Sequence, residues 1–456
     1  MNETRVLTVG AYERDNFGDL LFLLVTERYL AGSEVVAAAP FAADMTPLLD
    51  RPVVALGEAL TNRDFDVIWT VGGQVGGTSP ESALRMSKSP AEYGRYRAAP
   101  PSEQRALIRQ AFHGAQLVSP YIPAPGSFPR NASAVSVLNS VGLIGAKGLP
   151  PHIREEVVEV LRSTDVVSVR DRESSDFLHH IGVKHSLMPD VVHALSVLEP
   201  YEPDPHSDIA VVQFSTRLLE RVGHDRLAHK LVQSPHLAGM RIQLLMAGTA
   251  PKHDSVEDLE RVAGRVHRLD PGRAVEVLTD RRPLDIVRQI RQARIVIGTS
   301  LHVRIVAAAY GVPRVTMRRV KPTRYAAHWD ELMPYDVRID DLDDALGAAL
   351  VAGRRSEVRA ASERLSTLAD DNVRAIAEQV SEVVGRGWDV ERERLAEHRQ
   401  RRHRAISNRR EACTAATDGL RTELAEARRE LELARAEVER LRGRRRSRFF
   451  GGESVA

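Results

Sequence analysis

The sequence predicts an α/β protein of two domains, each built on a parallel sheet. Short β-branched runs such as 5–9 and 66–71 alternate with helical runs through the first half. The same alternation returns from residue 209, after a proline-rich and acidic stretch at 201–207 that indicates an interdomain hinge. We therefore predict two Rossmann-like domains that face a cleft, with ligands at the carboxyl ends of the strands.

The composition sets limits on the class of protein. A chain of 456 residues with 43% hydrophobic content is long enough for more than one core. The net charge of +2 argues against a dedicated nucleic-acid-binding protein. The single cysteine, Cys413, excludes an internal disulfide and a cysteine-based zinc site. With no signal peptide and no apolar run of membrane-spanning length, we expect a cytoplasmic protein.

The first predicted domain, residues 1–200, opens with a strand and an apolar helix joined by a polar turn. Asn16, Gly18 and Asp19 lie in this turn. Asparagine and aspartate cap the free amides at a helix start, so turn and N-cap chemistry can explain them without a ligand. The segment 78–105, which is polar and contains several prolines, reads as a mobile excursion or lid with irregular helix. The segment 118–123 reads as strand-like.

Two further strand ends in this domain carry residues of interest. Gly72 and Gly73 follow the strand 66–71 and fit either a tight turn or a loop whose backbone approaches a ligand. This segment lacks the lysine and hydroxyl residue of a P-loop, which disfavours a nucleotide triphosphatase. Arg170 ends a second strand, where an ion pair followed by a helix N-cap explains the residues without a ligand.

The second predicted domain, residues 201–355, has its strongest functional signal at 295–315. A β-branched strand, a Gly-Thr-Ser turn, His302 and an alanine-rich helix follow one another there. His302 is predicted in the first helical turn, where helix amides face the cleft of an open α/β sheet. A structural histidine with satisfied hydrogen bonds is the competing explanation. Lys321 follows in a basic stretch that reads as a loop, for which a solvated charged turn is the default explanation.

Two of these segments resemble the signatures of one family. The C-terminal motif of the polysaccharide pyruvyltransferases is similar to Gly298-Thr299-Ser300-Leu301-His302 with Gly311-Val312-Pro313 after the helix. Their N-terminal hallmark is similar to Asn16-Phe17-Gly18-Asp19. The resemblance covers roughly residues 5–350 and implies a glycosyltransferase-B-like arrangement of the two domains. Ser300 stands where the family has an arginine, which leaves open a lower donor affinity, a different donor or a loss of activity.

The resemblance implies a transferase that moves a pyruvyl group from phosphoenolpyruvate to a sugar of a surface polysaccharide or its lipid-linked precursor. His302 is then the catalytic residue for proton transfer, and no metal or further cofactor is needed. Arg170 and Lys321 are expected to bind the donor's anionic groups, since arginine binds such oxyanions in a bidentate manner. The rest of the predicted substrate-binding set is Asn16, Gly18, Asp19, Gly72, Gly73, Ser300, Leu301 and Arg304. Arg304 points about 200° away from His302 on the helix and replaces the missing arginine imperfectly.

Two other functions remain open at this point. A nucleotide-sugar glycosyltransferase of the same fold would use the same helix N-terminus and cations to hold a diphosphate. Alternatively, Ser300 marks a lost donor site, and the chain is a catalytically impaired homologue that acts as an assembly protein through its C-terminal segment.

The C-terminal segment divides into predicted terminal helices at 356–386, a coiled coil at 387–446 and a flexible tail at 447–456. Apolar and small residues recur there with alternating steps of three and four: Thr417, Leu420, Leu424, Ala427, Leu431, Ala434, Val438 and Leu441. Such a seam predicts a coiled coil, most simply a parallel homodimer, with a lone solvated helix as the alternative. The basic and aromatic run 444–450 fits either a disordered end or contact with an anionic membrane at its inner face.

Overall fold

Two parallel sheets organise the protein, as the sequence predicts. The computed structural model describes residues 3–115, 119–250, 253–386 and 390–449. The first sheet contains β1 (Thr4–Val9), β2 (Ser33–Ala39), β3 (Val54–Ala55), β4 (Val67–Val71), β5 (Val135–Val141), β6 (Val166–Val169) and β7 (Ser186–Leu187). The second contains β8 (Ile209–Gln213), β9 (Arg241–Leu244), β10 (Val275–Val277), β11 (Ile295–Gly298) and β12 (Arg314–Thr316).

The strand order of each sheet reverses at one point, and this positions the loops that matter for function. The first sheet has the order β3-β2-β1-β4-β5-β6-β7, and the second has β10-β9-β8-β11-β12. The reversals lie between β1 and β4 and between β8 and β11. Ligands of open α/β sheets bind at the carboxyl ends of the strands at such switch points. The loops that begin at Gly10, Gly72 and Thr299 all leave strands at these two points.

Helices cover both sheets and form the C-terminal part of the chain. We call the first sheet with its helices the first lobe, and the second sheet with its helices the second lobe. Those of the first lobe are α1 (Phe17–Tyr29), α2 (Thr46–Leu49), α3 (Leu56–Asn62), α4 (Pro80–Ser87), α5 (Pro90–Ala98), α6 (Pro101–Ala111), α7 (Pro151–Ser163), α8 (Arg172–His180) and α9 (Leu195–Leu198). The later helices are α10 (Thr216–Val222), α11 (His224–Gln233), α12 (Val256–Leu269), α13 (Pro283–Arg291), α14 (Leu301–Ala309), α15 (Val320–Trp329), α16 (Leu342–Ala352), α17 (Ser356–Gly385) and α18 (Val390–Phe449). Short 3-10 helices occur at Pro125–Ser127, Pro129–Asn131, Ala146–Gly148, Val191–Ala194, Pro235–Leu237 and Ile339–Asp341.

The two lobes share a hydrophobic core beside the cleft. One buried cluster joins Phe17 and Val25 of α1 to Ile286 of α13 and Val303 of α14. The helix α17 returns from the second lobe and adds Val373 to the same cluster. Burial of apolar area across the lobes stabilises their relative position. The site therefore lies at the edge of a packed interface.

Two sequence expectations for the first lobe are wrong in detail. The stretch 78–105 forms the regular helices α4, α5 and the start of α6, each with proline in its first turn, where the missing amide costs nothing. Of the strand-like stretch 118–123, Val118 lies outside the described residues, and 119–123 forms turns.

The C-terminal helices begin and end close to the predicted boundaries. The first part of α18 packs against the first lobe through residues such as Arg399 and Arg410, so this part of the predicted coiled coil at 387–446 is covered by the protein itself. The tail after Phe449 lies outside the described residues, and so do the side chains at 442–449. Among the described helices, none is long and apolar enough to cross a membrane.

Candidate active site

The loop between β1 and α1 meets the second lobe directly. Phe17 N donates a hydrogen bond to Ala247 O at 2.9 Å, and Asn16 pairs with Gly248 as an isolated antiparallel bridge. Gly248 has a φ of +154°, and a side chain there would collide with the backbone of Asp15. The first lobe's switch-point loop is therefore held against the loop that follows β9.

His302 lies in the first turn of α14, at the interface of the lobes. Its side chain is 12% exposed, and its Nε2 is 3.8 Å from Asp190 Oδ2. The ring meets the edge of Phe22 with centroids 4.9 Å apart. On its other side it lies so close to Gly18 that a Cβ at position 18 would overlap the imidazole. Gly18 is thus required by the close approach of the histidine.

Asp190 and Arg170 form a buried ion pair beside this histidine. Burial alone would raise the pKa of the Asp190 carboxyl, but Arg170 and His302 hold it well below its ordinary value. The Arg170 guanidinium also lies over the Phe22 ring, 5.2 Å from its centroid. The carboxylate is thus charged and faces His302 Nε2 across 3.8 Å, beyond hydrogen-bond distance.

One face of α15 brings a further cation to this group. Lys321, Tyr325 and Trp329 are spaced by four residues and so share one side of the helix. Tyr325 OH accepts a hydrogen bond from Asp190 N at 2.9 Å, and Trp329 Nε1 donates to Arg170 O at 2.8 Å. The sequence interpretation of this stretch as a loop is wrong, because the helix begins at Val320.

Lys321 lies in a partly desolvated environment with other cations nearby. Its side chain is exposed at the cleft, although enough protein surrounds the ammonium group for desolvation to lower its pKa. Arg170 and Arg14 lower this pKa further by repulsion, while Asp19 raises it. Several cations thus converge where a small anion would neutralise them.

The predicted N-terminal turn has a structural role that the structure shows directly. Asn16 caps α1: its side-chain oxygen accepts from Gly18 N at 3.2 Å. Asn16 Nδ2 donates to Asp19 Oδ2 at 2.8 Å, and Arg14 Nη2 lies 3.5 Å from the same oxygen. A substrate-binding role for these residues stays a prediction.

The Gly72-Gly73 turn forms the wall behind Phe22. Both residues have positive φ, +64° and +74°, and a Cβ at Gly72 would overlap the Phe22 ring. Glycine is therefore needed here both for backbone conformation and for space. The turn supports the aromatic ring that contacts His302 and Arg170.

A buried polar network fixes the turn that precedes His302. Gln213 Oε1 accepts from Thr299 N at 3.0 Å and from Ser300 N at 2.9 Å. Gln213 Nε2 donates to both carboxyl oxygens of Asp254 at 2.9 Å, and Asp254 Oδ2 accepts from Ala247 N at 2.7 Å. The network thus connects the loop that contacts the first lobe with the turn that positions the histidine.

Within that turn, Ser300 and Leu301 have different surroundings. Ser300 occupies the N-cap position of α14, but its hydroxyl makes no capping hydrogen bond. Leu301 is partly buried and packs against the shared core. Within the described residues Ser300 therefore does not cap the helix through its side chain, whereas Leu301 contributes packing.

Arg304 is not brought to the cleft, and we withdraw it from the substrate-binding set. It is 2% exposed, and its guanidinium donates to Thr316 Oγ1, Pro334 O, Asp330 O and Met333 O at 2.8–3.1 Å. Its charge is paired with Asp330. It cannot replace the family arginine at Ser300, because both terminal nitrogens of its guanidinium already donate inside the second lobe.

Four residues of the site were missed in the sequence: Arg14, Phe22, Asp190 and His253. Arg14 adjoins the segment 16–19 that resembles the family, and Met188-Pro189-Asp190 also follows the order of that family, so the resemblance is the signal that could have found these two residues. His253 carries no local pattern. Burial lowers the pKa of its imidazole, which Arg14, Lys321 and Arg319 lower further, while Asp19 raises it.

A pH dependence follows from Asp254. Burial raises the pKa of its carboxyl to about 7, although Ala247 N and Gln213 oppose the shift. Between pH of about 4 and 7 the folded protein holds a proton that the unfolded chain releases, so stability falls as pH rises, by at most about 1.4 kcal/mol per unit. We expect Asp254→Asn to flatten the dependence of the melting temperature on pH. The exposed Asp204→Asn should leave it unchanged; equal slopes in wild type and Asp254→Asn would contradict the prediction.

Comparison with known proteins agrees with this architecture. A putative UDP-N-acetylglucosamine 2-epimerase from Listeria monocytogenes superposes with a TM-score of 0.50 at 11% identity, covering 84% of this chain and 98% of the epimerase. The glycosyltransferase VinC in complex with dTDP gives a TM-score of 0.42 at 14% identity, covering 84% and 100%. The likeness to the epimerase concerns the fold alone, a two-lobe glycosyltransferase-B-like arrangement. No curated protein sequence matches the chain significantly.

The sequence model of the family described as polysaccharide pyruvyl transferase matches residues 111–319. The matched part contains Arg170, Asp190 and His302, while the Asn16 turn lies before it and Lys321 lies two residues beyond it. The match confirms the resemblance seen in the sequence and the predicted class of enzyme, a transferase. Among the described residues, no group of three or more His, Cys, Asp or Glu side chains could hold a metal ion.

Proposed function

We propose that the protein transfers a pyruvyl group from phosphoenolpyruvate to a sugar of a surface polysaccharide or of its lipid-linked precursor. The observation that carries this proposal is the position of His302, which lies between Gly18 and the Asp190 carboxylate, 3.8 Å from an oxygen of that carboxylate with which Arg170 also pairs. The family match at 111–319 supports the pyruvyl group as the unit transferred.

In the proposed reaction His302 moves the protons. Protonation of the methylene carbon of phosphoenolpyruvate makes the adjacent carbon electrophilic. A sugar hydroxyl attacks that carbon and loses its proton, and inorganic phosphate leaves. Attack by a second hydroxyl of the same sugar then gives a cyclic pyruvate ketal. Because proton transfer accompanies both bond changes, one imidazole beside a charged carboxylate is suited to the reaction.

We assign the cations of the site to binding of phosphoenolpyruvate, the donor of the pyruvyl group. Lys321 has an exposed ammonium group and a pKa lowered by desolvation and by neighbouring cations, so a bound anion would relieve its repulsion. Arg170 is already paired with Asp190, so it would contact the donor while holding that carboxylate in place. Arg14 lies beside Asp19 at the rim of the same group. We assign the Asn16 and Gly72 loops to the acceptor side.

Ligand binding gives the first test. A ligand that binds only the folded state stabilises it by RT ln(1 + [L]/Kd), which is about 2.7 kcal/mol when the ligand is at a hundred times its dissociation constant. We expect phosphoenolpyruvate to raise the melting temperature of the wild-type protein and to do so less in Lys321→Met. Arg318→Met removes a neighbouring exposed cation that pairs with Asp336 and serves as the control.

The outcome also separates the competing functions. Stabilisation by a nucleotide sugar in place of phosphoenolpyruvate would favour a glycosyltransferase. No stabilisation by either, with unchanged pyruvate content of surface polysaccharide in cells that lack the chain, would favour the assembly protein. A loss of the pyruvate increment, seen by mass spectrometry of the polysaccharide, would support the proposed reaction.

A further inference from the structure

The helix α18 has two parts with different surroundings. Its first part is fixed to the first lobe through Arg399, which is buried and donates hydrogen bonds to Ala132 O, Ala134 O and Asp165 at 2.8–3.2 Å. Ile406 is buried on the same side of the helix. Further along, Asp418 still pairs with Arg105 of α6 at 2.9 Å. The first part of α18 is therefore held against the first lobe. The second part, residues 417–441, extends from it.

The second part presents an uncovered apolar face. Leu420, Leu424, Leu431, Val438 and Leu441 are 47–66% exposed, and Thr417, Ala427 and Ala434 are exposed between them. These eight residues occupy alternating a and d positions of a heptad repeat. Arg399 and Ile406 both fall on the d position earlier in the helix, so the exposed face continues the face that packs on the lobe. A helix face of this kind is covered in a stable protein.

Charged residues flank the seam with one sign on each side. The g positions, which precede the a positions, hold Glu423, Glu430 and Glu437. The e positions, which follow the d positions, hold Arg428 and Arg435, and the sequence continues this pattern at 421 and 442. All five residues named are exposed, and Glu437 also pairs with Arg440 of its own helix at 2.6 Å.

This arrangement selects one orientation of the partner. In a parallel coiled coil each g residue faces the e residue of the next heptad in the other helix, so Glu423 meets Arg428 and Glu430 meets Arg435. In an antiparallel pair g faces g and e faces e, which would place glutamates against glutamates and arginines against arginines. Like charges in such positions destabilise the pair.

We propose that residues 417–441 bind the same segment of a second copy of this chain, parallel and in register. The proposal narrows the predicted coiled coil, because residues 390–410 are already packed against the first lobe. It also has a consequence for the assembly. Since each helix is anchored to its own first lobe, the two catalytic bodies lie at the same end of the paired segment.

Charge reversal tests the orientation in the full chain. Glu430 has no basic residue three or four positions away in its own helix, so its main partner in the proposed dimer is Arg435 of the second copy. We expect Glu430→Arg to weaken the dimer about tenfold in sedimentation equilibrium. Glu430→Arg/Arg435→Glu should restore it. An antiparallel dimer would respond differently: Glu430 would face Glu430 of the second copy, so Glu430→Arg would exchange one like-charged pair for another and leave the affinity nearly unchanged. That result would overturn the proposal.

A disulfide provides a second measurement that does not depend on affinity. In a Cys413→Ser background, Leu420→Cys places one thiol at a d position of each copy, where the two face each other only in the parallel, in-register pair. In the antiparallel pair of 417–441 they would be about 27 Å apart, from the rise of 1.5 Å per residue. We expect mild oxidation to give a covalent dimer in high yield. A wild-type monomer by sedimentation, or no covalent dimer from Leu420→Cys, would refute the pairing.

Discussion

Replacement of His302 with glutamine is expected to lower the rate of pyruvyl transfer by about 10²–10⁴-fold, the usual contribution of a positioned acid or base. Glutamine can still contact Asp190 through its amide but cannot take up or release a proton. The fold should tolerate the change, because Asp190 keeps its ion pair with Arg170. The measurement is phosphate release from phosphoenolpyruvate in the presence of a sugar acceptor, with the melting temperature recorded for each variant.

The control for this substitution is His206→Gln, in the exposed connection between the lobes. It should alter neither the rate nor the melting temperature. If His302→Gln kept the wild-type rate at an unchanged melting temperature, the histidine would be a packing residue between Gly18 and Phe22. Proton transfer would then have to be assigned elsewhere.

Most of the fold could be predicted because its signals are local. Buried strands such as β4 and β11 are short β-branched runs, and the helices between them are amphipathic, so the alternation is visible residue by residue. Strand order is different, since it depends on which strands pair across the chain. The switch points between β1 and β4 and between β8 and β11 were expected for the fold class, but the sequence did not specify them.

The site could be predicted only where a residue follows a strand end. His302, Arg170 and Gly72 each occupy such a position and converge in the structure. Asp190 precedes a 3-10 helix, and it is paired with Arg170 only after the lobes fold. Lys321 was assigned to a loop, because Pro322 and the surrounding basic residues mask the four-residue spacing with Tyr325 and Trp329.

Arg304 shows that a suitable residue type within a plausible motif does not suffice to predict a ligand-binding residue. It is near His302 in sequence, but the turn of about 200° directs it into the second lobe. There it donates to backbone carbonyls and pairs with Asp330, which also pairs with Arg314. A charge with this many partners stabilises the second lobe. Only the packing of the lobe, which is not visible in the sequence, distinguishes it from a ligand-binding arginine.

Loss of Arg170 is expected to produce the largest change in stability. Arg170→Met leaves the Asp190 carboxylate buried without its cation, which typically costs about 3–5 kcal/mol of unfolding free energy. The double variant Arg170→Met/Asp190→Asn should recover most of this loss, because neither side chain then carries a buried charge. Chemical denaturation of the wild type and both variants measures the effect.

The same variants decide whether Arg170 also binds the donor. A lost hydrogen bond to a charged ligand corresponds to about a tenfold to hundredfold change in kcat/KM. We expect the double variant to regain stability while its KM for phosphoenolpyruvate stays raised. As a matched control, Arg314→Met disturbs another buried pair, that with Asp330, and should lower stability without changing KM. Recovery of both stability and KM in the double variant would mean that Arg170 serves only Asp190, and Lys321 would remain as the cation that binds the donor.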